Sequence, residues 1–245
     1  MLDIPRIARH KMAAEPYAWV DIEQTFSPAG AAALAASFPG DHFKNVAGYD
    51  GEKGYEYRAR SLIHMDAQAP SHPGGLTPEW LCLAADLLSP AYRQAMTRLT
   101  GLDLSAALLE ANVTEYGPDA WLGPHVDLRE KLVTHVLYFN REWNREDGGC
   151  LGILRSPDPA DVAHEVVPVV GNSVVLVRSE RSWHAVARVR GTNCRRAVNV
   201  IFHLPGSIST MWPPEQAGSA AGWRKHLRDW GARLAALKRR VAKWL

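Results

Sequence analysis

The stretch GPHVDLREKLVTHVLYF, Gly123 to Phe139, combines a Gly-Pro break, a His-x-Asp pair and a strand-like apolar run. His125 and Asp127 stand two residues apart at the edge of the predicted strand, so both side chains project to the same side and can reach one metal ion. Two imidazoles and one carboxylate are the ligands of a mononuclear non-haem Fe(II) centre. A second histidine on a later strand would complete such a centre.

His184 is the candidate for that second histidine. It lies in RSERSWHAVARV, after the apolar run SVVLV, and begins another predicted strand. The residues between Asp127 and His184 suffice for a hairpin and a return crossing. The alternative is a buried histidine that pairs with a backbone carbonyl. The pattern predicts a metal site formed by His125, Asp127 and His184.

Short strand-like runs fill the second half of the chain, and turn signals such as YGPD, REDGG and SPDP separate them. This spacing is typical of a sandwich or a barrel. The predicted strands are 108–116, 131–139, 150–154, 166–170, 173–177, 184–189 and 195–204. We therefore expect a mainly β fold with supporting helices on one face of the sheet.

The first hundred residues favour helices and one or two strands. Ser27-Pro28, Thr77-Pro78 and Ser89-Pro90 are start signals, and they predict helices at 28–38, 78–88 and 90–100. Gly101 ends the last of these helices. Residues 17–22 and 55–65 are predicted to be extended, and the polar segment 41–54 is predicted to be a loop.

Composition points to one large domain. The chain has 245 residues, of which 47% are hydrophobic, and a length of this order can bury a sizeable core. No signal peptide or membrane-spanning run is recognised, so we expect a cytoplasmic protein. Cys82, Cys150 and Cys194 form no CxxC pair, and reduced thiols are expected. The predicted boundaries are one domain at 1–212, with an N-terminal part at 1–104 and a core at about 105–205, then a linker at 213–221.

Two arginines begin the last predicted core strand, CRRAVNVIF. A guanidinium at the mouth of a sandwich is costly without an anionic partner. Alternation places Arg195, Ala197 and Asn199 on one face and Arg196 on the other. One arginine should therefore face the interior, where a dicarboxylate could bind it through two hydrogen bonds.

These motifs together resemble the Fe(II)/2-oxoglutarate-dependent dioxygenases, in particular the branch that looks like prolyl 4-hydroxylases. The resemblance covers about residues 108–204, and it matches the N-terminal hundred residues and the tail only loosely. The motifs, in chain order, are His125-Val-Asp127, Tyr138-Phe-Asn140-Arg-Glu-Trp143, Gly148-Gly149, Pro168-Val-Val-Gly171, His184-Ala-Val186 and Arg195.

The resemblance implies a double-stranded β-helix, or jelly-roll, core that uses Fe(II), 2-oxoglutarate and O2. His125, Asp127 and His184 would be the iron ligands. Arg195, rather than Arg196, would bind the distal carboxylate of 2-oxoglutarate. Other residues are expected at the cosubstrate or the substrate: Tyr138, Thr134 and Asn199 at the cosubstrate, and Asn112, Tyr116, Trp121, Arg58 and Arg60 at the substrate. Arg58 and Arg60 have the alternative of being solvated edge charges, and Trp121 has the alternative of packing on the sheet.

The C-terminal segment 222–245 is predicted to be a basic amphipathic helix. Between Arg224 and Leu245 there are eight Lys or Arg and one acidic residue, whereas the whole chain has a net charge of +2. Such a helix could dock on its own domain or on a partner in a homodimer, or it could attach to an anionic membrane surface. A nucleic-acid partner is not expected, because the body shows no matching basic patch.

The function predicted from the sequence is hydroxylation of an unactivated C–H bond of a small molecule, such as a natural-product or sugar intermediate, with release of succinate and CO2. One alternative is a hydroxylase that acts on prolyl or other residues of a protein. Another, from outside the enzymes, is a cupin-like metal- or ligand-binding protein whose tail binds a membrane or a partner.

Overall fold

A computed structural model describes residues 1–50 and 53–212 of the chain. The predicted linker at 213–221 and the predicted helix at 222–245 lie outside the described residues. The architecture below is that of Met1–Ile208, which forms one compact unit. Among the described residues, no helix combines the length and the apolarity needed to cross a membrane.

Four α-helices lie in the N-terminal part: α1 (Ile4–Arg9), α2 (Pro28–Ala36), α3 (Pro78–Leu88) and α4 (Pro90–Thr100). The three predicted helices are confirmed. Ser27 and Ser89 cap α2 and α4, since their hydroxyls accept from the backbone N–H of Gly30 and Tyr92. Thr77 precedes α3 without capping it: its hydroxyl donates to Ser37 Oγ and accepts no hydrogen bond from the backbone of the first turn.

The strands form one sheet in which all the pairs of strands are antiparallel. Their bounds are β1 (Trp19–Ile22), β2 (Lys44–Asp50), β3 (Lys53–Ile63), β4 (Leu108–Tyr116), β5 (Trp121–His125), β6 (Lys131–Tyr138), β7 (Leu151–Leu154), β8 (Val162–Val166), β9 (Ser173–Val177), β10 (His184–Val186) and β11 (Arg195–His203). The order across the sheet is β1-β9-β6-β11-β4-β3-β5-β10-β7-β8, and β2 pairs with β3. Most predicted strands are confirmed within one or two residues.

Three predictions of secondary structure were wrong. The predicted loop at 41–54 is instead a hairpin of β2 and β3. Strand β2 pairs only with β3, so it is an edge strand that needs no buried apolar face. Its polar sequence therefore carries no strand signal. Strand β5 was not predicted in its Gly-Pro-rich segment, and the strand expected at 166–170 lies earlier, at Val162–Val166.

The sheet curls until its two ends nearly meet. His164 on β8 and Asp21 on β1, at opposite ends of the strand order, approach to 2.9 Å between Nε2 and Oδ2. The ring of Trp19 also lies 4.8 Å from that of His164. The result is a nearly closed, barrel-like antiparallel sheet, consistent with a jelly-roll core. The predicted fold class, mainly β with supporting helices, is confirmed.

Alternation along the strands creates two separate cores. One face of β11 carries Val198, Val200 and Phe202, which pack in one cluster with Trp80 of α3 and Tyr92 of α4. The opposite face points into the barrel. There Ala197 packs in a second cluster whose members include Tyr116, Val136, Tyr138, Leu176 and Val186. The helices therefore stabilise the sheet from outside and leave the barrel interior for other groups.

His135 illustrates this division. It is fully buried on the helix side of β6, where its Nδ1 lies 2.9 Å from the Tyr92 hydroxyl. His135 therefore faces away from the barrel interior. Burial lowers the pKa of His135 to about 3, so the imidazole is neutral in the folded protein at neutral pH.

This burial predicts a loss of stability in acid. The unfolded chain takes up a proton at His135 near pH 6.5, whereas the folded protein resists protonation down to about pH 3. Lowering the pH from 7 to 5 should therefore cost about 2 kcal/mol of unfolding free energy through this residue. Urea unfolding at the two pH values should show a smaller pH dependence in His135→Gln than in the parent. An equal pH dependence of the unfolding free energy in both proteins would show that His135 is not the group responsible.

Candidate active site

Two antiparallel strands bring the two predicted histidine ligands together. His184 at the start of β10 is paired in register with His125 at the end of β5. The ring centroids lie 4.2 Å apart with the planes tilted by 50°. Both residues are buried, and both lie at the mouth of the barrel interior defined above. The fold thus joins residues that are far apart in the sequence.

Backbone carbonyls fix the tautomer of both rings. His125 Nδ1 lies 2.9 Å from the carbonyl oxygen of Gly123, and His184 Nδ1 lies 2.9 Å from that of Ser182. A carbonyl oxygen can only accept, so each Nδ1 must carry the hydrogen. The lone pair of each ring is then on Nε2, as a metal ligand requires.

Asp127 is buried in the loop between β5 and β6, and both oxygens of its carboxylate accept hydrogen bonds. Lys131 Nζ donates to Oδ1 at 2.6 Å, and Thr134 Oγ1 donates to Oδ2 at 2.7 Å. Burial alone would raise the pKa of Asp127. Lys131, His184 and His125 outweigh burial and hold the pKa well below its usual range. The group is therefore an anionic carboxylate at neutral pH.

These three residues fit a divalent metal ion. Each offers one ligand atom, and the three atoms all lie within 4.8 Å of one another. Among the residues that the structure describes, this is the one cluster of histidine, cysteine and acidic side chains with such spacing. Two imidazoles and one carboxylate on neighbouring positions suit non-haem Fe(II), and they leave further coordination positions for other ligands.

A second feature of the site, the buried side chain of Arg195, calls for a bound anion. Its side chain is buried at the start of β11, with a relative exposure of 2%. The guanidinium carbon lies 5.0 Å from the ring centre of Tyr116 and 5.1 Å from that of Tyr138. No acidic group in the described part of the chain forms a salt bridge with it, and its Nε finds no hydrogen-bond partner there. A buried cation in this position needs an anionic partner.

Tyr138 faces the same anion position. Burial raises the pKa of its hydroxyl to about 12, and neighbouring Arg195 opposes that rise. The hydroxyl is therefore protonated at neutral pH and can donate a hydrogen bond to a carboxylate. Arg195 and Tyr138 together form a pocket that suits one end of a dicarboxylate such as 2-oxoglutarate.

Arg196 points to the other face of the sheet. Its Nε lies 3.3 Å from Glu115 Oε1, and its guanidinium lies over the ring of Phe38. The side chain of Asn140 fixes this register, because Nδ2 donates to the Cys194 carbonyl and Oδ1 accepts from the Arg196 N–H. Asn140 of the Tyr-x-Asn-x-x-Trp motif thus supports the register in which Arg195 enters the barrel.

Most of the other predicted residues also face the interior. Asn112 on β4 and Asn199 on β11 are cross-strand partners midway along the barrel. Tyr116 is buried beside Arg195 and stacks on Tyr57 with ring centres 4.9 Å apart. Thr134 faces the interior as expected, but its hydroxyl is directed to Asp127 and not to the Arg195 pocket.

Three predicted substrate residues are not brought to this site. Arg58 pairs with Glu115 on the outer face, and Arg60 is buried there beside Asp41 with its Nε 3.2 Å from Oδ1. Trp121 lies under the Arg188 guanidinium, 4.1 Å from its carbon. The physical reason is strand alternation, since Glu115 neighbours the inward Tyr116 and therefore points outward with its partner Arg58.

Some site residues were not predicted from the sequence. Lys131 is one of them, and its side chain reaches the Asp127 carboxylate because a bulge in β6 turns it inward. Glu110 and His203 form a buried pair, with 3.3 Å between Oε2 and Nε2, at the level of Thr134 and Lys131 across β11. Period-two alternation from Asn112 back to Glu110 and from Asn199 on to His203 could have found this pair.

The comparisons with known proteins agree with this geometry. Residues 111–203 match the sequence model of the 2OG-Fe(II) oxygenase superfamily, and no curated protein matches the chain. Among solved structures, a Pseudomonas putida prolyl-4-hydroxylase is 23% identical and has a TM-score of 0.54, covering 82% of this chain and 96% of its own. A Phytophthora capsici prolyl 4-hydroxylase is 19% identical, with a TM-score of 0.56, and covers 98% of this chain and 76% of its own.

A 2OG-Fe(II) oxygenase family protein from Burkholderia pseudomallei is 14% identical and has a TM-score of 0.54. The match covers 76% of this chain and 84% of that protein. At these identities the likeness establishes the shared fold.

Proposed function

We propose that this chain, whose residues 111–203 match the 2OG-Fe(II) oxygenase model, is an oxygenase of that superfamily and hydroxylates an unactivated C–H bond of a small polar molecule. Membership makes the chain an oxidoreductase, a dioxygenase that uses Fe(II), 2-oxoglutarate and O2. The bound iron and 2-oxoglutarate supply the activation of O2, which ends in hydroxylated product, succinate and CO2. The expected alternative of a non-catalytic cupin-like binder is therefore not retained.

Separate groups of residues would bind the metal and the cosubstrate. His125, Asp127 and His184 would hold the iron, because their ligand atoms converge and because each histidine uses Nδ1 for a backbone carbonyl, which leaves Nε2 for the metal. Arg195 would bind the distal carboxylate of 2-oxoglutarate, and the Tyr138 hydroxyl would donate to the same carboxylate. The apolar barrel wall around them excludes bulk water, which strengthens these contacts.

The observation that carries the choice of a small polar substrate is the chemistry of the interior near Asp127. Glu110, Asn112 and His203 are all buried on interior positions of β4 and β11. Cross-strand pairing of Ile201 with both Glu110 and Thr134 places Glu110 about 10 Å from Thr134 across two strand spacings. A substrate held there would be enclosed by the barrel and would meet several polar groups. This environment suits a sugar or natural-product intermediate.

A second candidate is hydroxylation of a prolyl residue in a polypeptide. Two of the structural relatives described above are named prolyl hydroxylases, and a third solved structure of this fold is a prolyl hydroxylase in complex with a hypoxia inducible factor peptide. The polar interior favours the small molecule, because a proline ring offers no hydrogen-bonding group to Glu110 or His203.

The two candidates are separated by the substrate that accelerates succinate release. The iron-loaded full chain would be supplied with 2-oxoglutarate and O2, and with either a panel of sugars and amino sugars or a set of proline-rich peptides. We expect a sugar-type compound to increase succinate release and the peptides to leave it at its basal rate. If a peptide accelerated succinate release and no compound of the small-molecule panel did, the substrate would be a polypeptide and not a small molecule.

A further inference from the structure

The carboxylate of Asp127 is held by two side chains from one strand. Thr134 and Lys131 both belong to β6, and each donates to a different oxygen of Asp127, at 2.7 Å and 2.6 Å. Asp127 is 8% exposed, so few water molecules can replace either donor. The orientation of this carboxylate therefore depends on β6.

The spacing of the two donors is unusual for a strand. Residues three apart on a regular strand point to opposite faces. The pairing of β6 with β11 changes register at this point: Val133 is opposite Phe202, whereas Lys131 is opposite the next residue, His203. Leu132 is the extra residue, and both Leu132 and Val133 pack on the helix side. This bulge turns Lys131 into the barrel beside Thr134.

Bulges commonly redirect a side chain next to a functional site. Here the bulge has a defined chemical effect, since it adds an ammonium group to a carboxylate that already accepts from a hydroxyl. The two donors differ in kind. The Thr134 hydroxyl is neutral, so it can orient Asp127 without weakening the charge that attracts a metal. The Lys131 ammonium neutralises part of that charge and repels a cation bound nearby.

We propose that Thr134 is a positioning residue that fixes the orientation in which Asp127 meets the metal, and that Lys131 limits how tightly the site holds it. The proposal rests on the proposed function, in which Asp127 is a metal ligand. It assigns Thr134 to the metal site and not to the cosubstrate. It also predicts opposite effects for the two donors, which a merely structural role would not produce.

The test is metal binding by the full chain without 2-oxoglutarate. Co(II) would be titrated into the parent, Thr134→Val, Thr134→Ser and Lys131→Met, and followed by calorimetry and by the visible Co(II) spectrum. Loss of an outer hydrogen bond to a ligand lowers metal affinity by about 10–100-fold, the change expected for Thr134→Val. Thr134→Ser keeps the hydroxyl and should restore affinity to within about threefold, while Lys131→Met should bind several-fold more tightly.

Several outcomes would overturn the proposal. Parent-like affinity in Thr134→Val, or equal weakening in Thr134→Ser, would remove the positioning role. Weaker binding in Lys131→Met would remove the charge role, provided that urea unfolding shows the variant to be folded. A parent that binds Co(II) but never binds 2-oxoglutarate would contradict the proposed function and leave the Thr134 result valid. A parent that binds no metal would overturn both.

Discussion

Replacing Asp127 by Asn should lower Fe(II) affinity by at least about a hundredfold and reduce 2-oxoglutarate-dependent succinate release to background. The change is nearly isosteric, and it keeps one of the two oxygens that accept from Lys131 and Thr134. What is lost is the negative charge and the anionic oxygen that a hard cation prefers. His184→Gln should have the same effect, because it removes one of the two imidazoles that converge with Asp127.

Metal binding by calorimetry and succinate release measure the two parts of this prediction. His10→Gln is the control for loss of a histidine, because His10 lies at the end of α1, where its Nδ1 contacts the Arg6 carbonyl. We expect this variant to bind and turn over like the parent. Retention of parent-like Fe(II) affinity in either Asp127→Asn or His184→Gln would show that the metal is bound elsewhere.

Replacing Arg195 by Gln should weaken the binding of 2-oxoglutarate by about two to four orders of magnitude. Removing one partner of a buried, hydrogen-bonded charge pair costs about 3–5 kcal/mol, and about 1.4 kcal/mol corresponds to a factor of ten. Metal affinity without 2-oxoglutarate should change little, since Arg195 is not among the ligand residues. The measurement is the dissociation constant of 2-oxoglutarate for the Fe(II)-loaded protein.

The neighbouring arginine offers a matched control. Arg196 is one residue along the same strand and contacts Glu115 on the outer face. Arg196→Gln removes the same charge from the chain, and yet it should leave 2-oxoglutarate affinity within about threefold, because exposed ion pairs contribute about 0–1 kcal/mol. If Arg196→Gln lost cosubstrate binding and Arg195→Gln did not, the register of β11 would be assigned to the wrong arginine.

The part of the fold that the sequence predicts is the part in which local signals and burial agree. The helices α3 and α4 begin at Ser/Thr-Pro pairs and show apolar faces, and β4 and β9 alternate against both cores, so their bounds follow from the sequence. Strand β2 has no such support, since it is an edge strand with polar residues. Strand β5 could not be predicted, because Gly123 and Pro124 have low strand propensity. Its extended conformation is stabilised by pairing with β10 and β3.

The candidate site divides in the same way. Residue type and spacing predict the convergence of His125, Asp127 and His184. Alternation predicts only that one of the two arginines faces inward, and the family resemblance selects Arg195. The outward positions of Arg58 and Arg60 could not be predicted, because the phase of β3 is set by its pairing with β4 and not by its own sequence. Lys131 was missed because a bulge, which period-two reasoning does not contain, turns it inward.

If one barrel interior holds both the metal and 2-oxoglutarate, an anaerobic titration of 2-oxoglutarate into the Fe(II)-loaded full chain will show it most directly. We expect a visible metal-to-ligand charge-transfer band that saturates with 2-oxoglutarate in the parent and in Arg196→Gln. The band should be absent in Asp127→Asn and shifted to much higher 2-oxoglutarate concentrations in Arg195→Gln. If the parent demonstrably binds Fe(II) and yet develops no band at saturating 2-oxoglutarate, the metal and 2-oxoglutarate do not share this site.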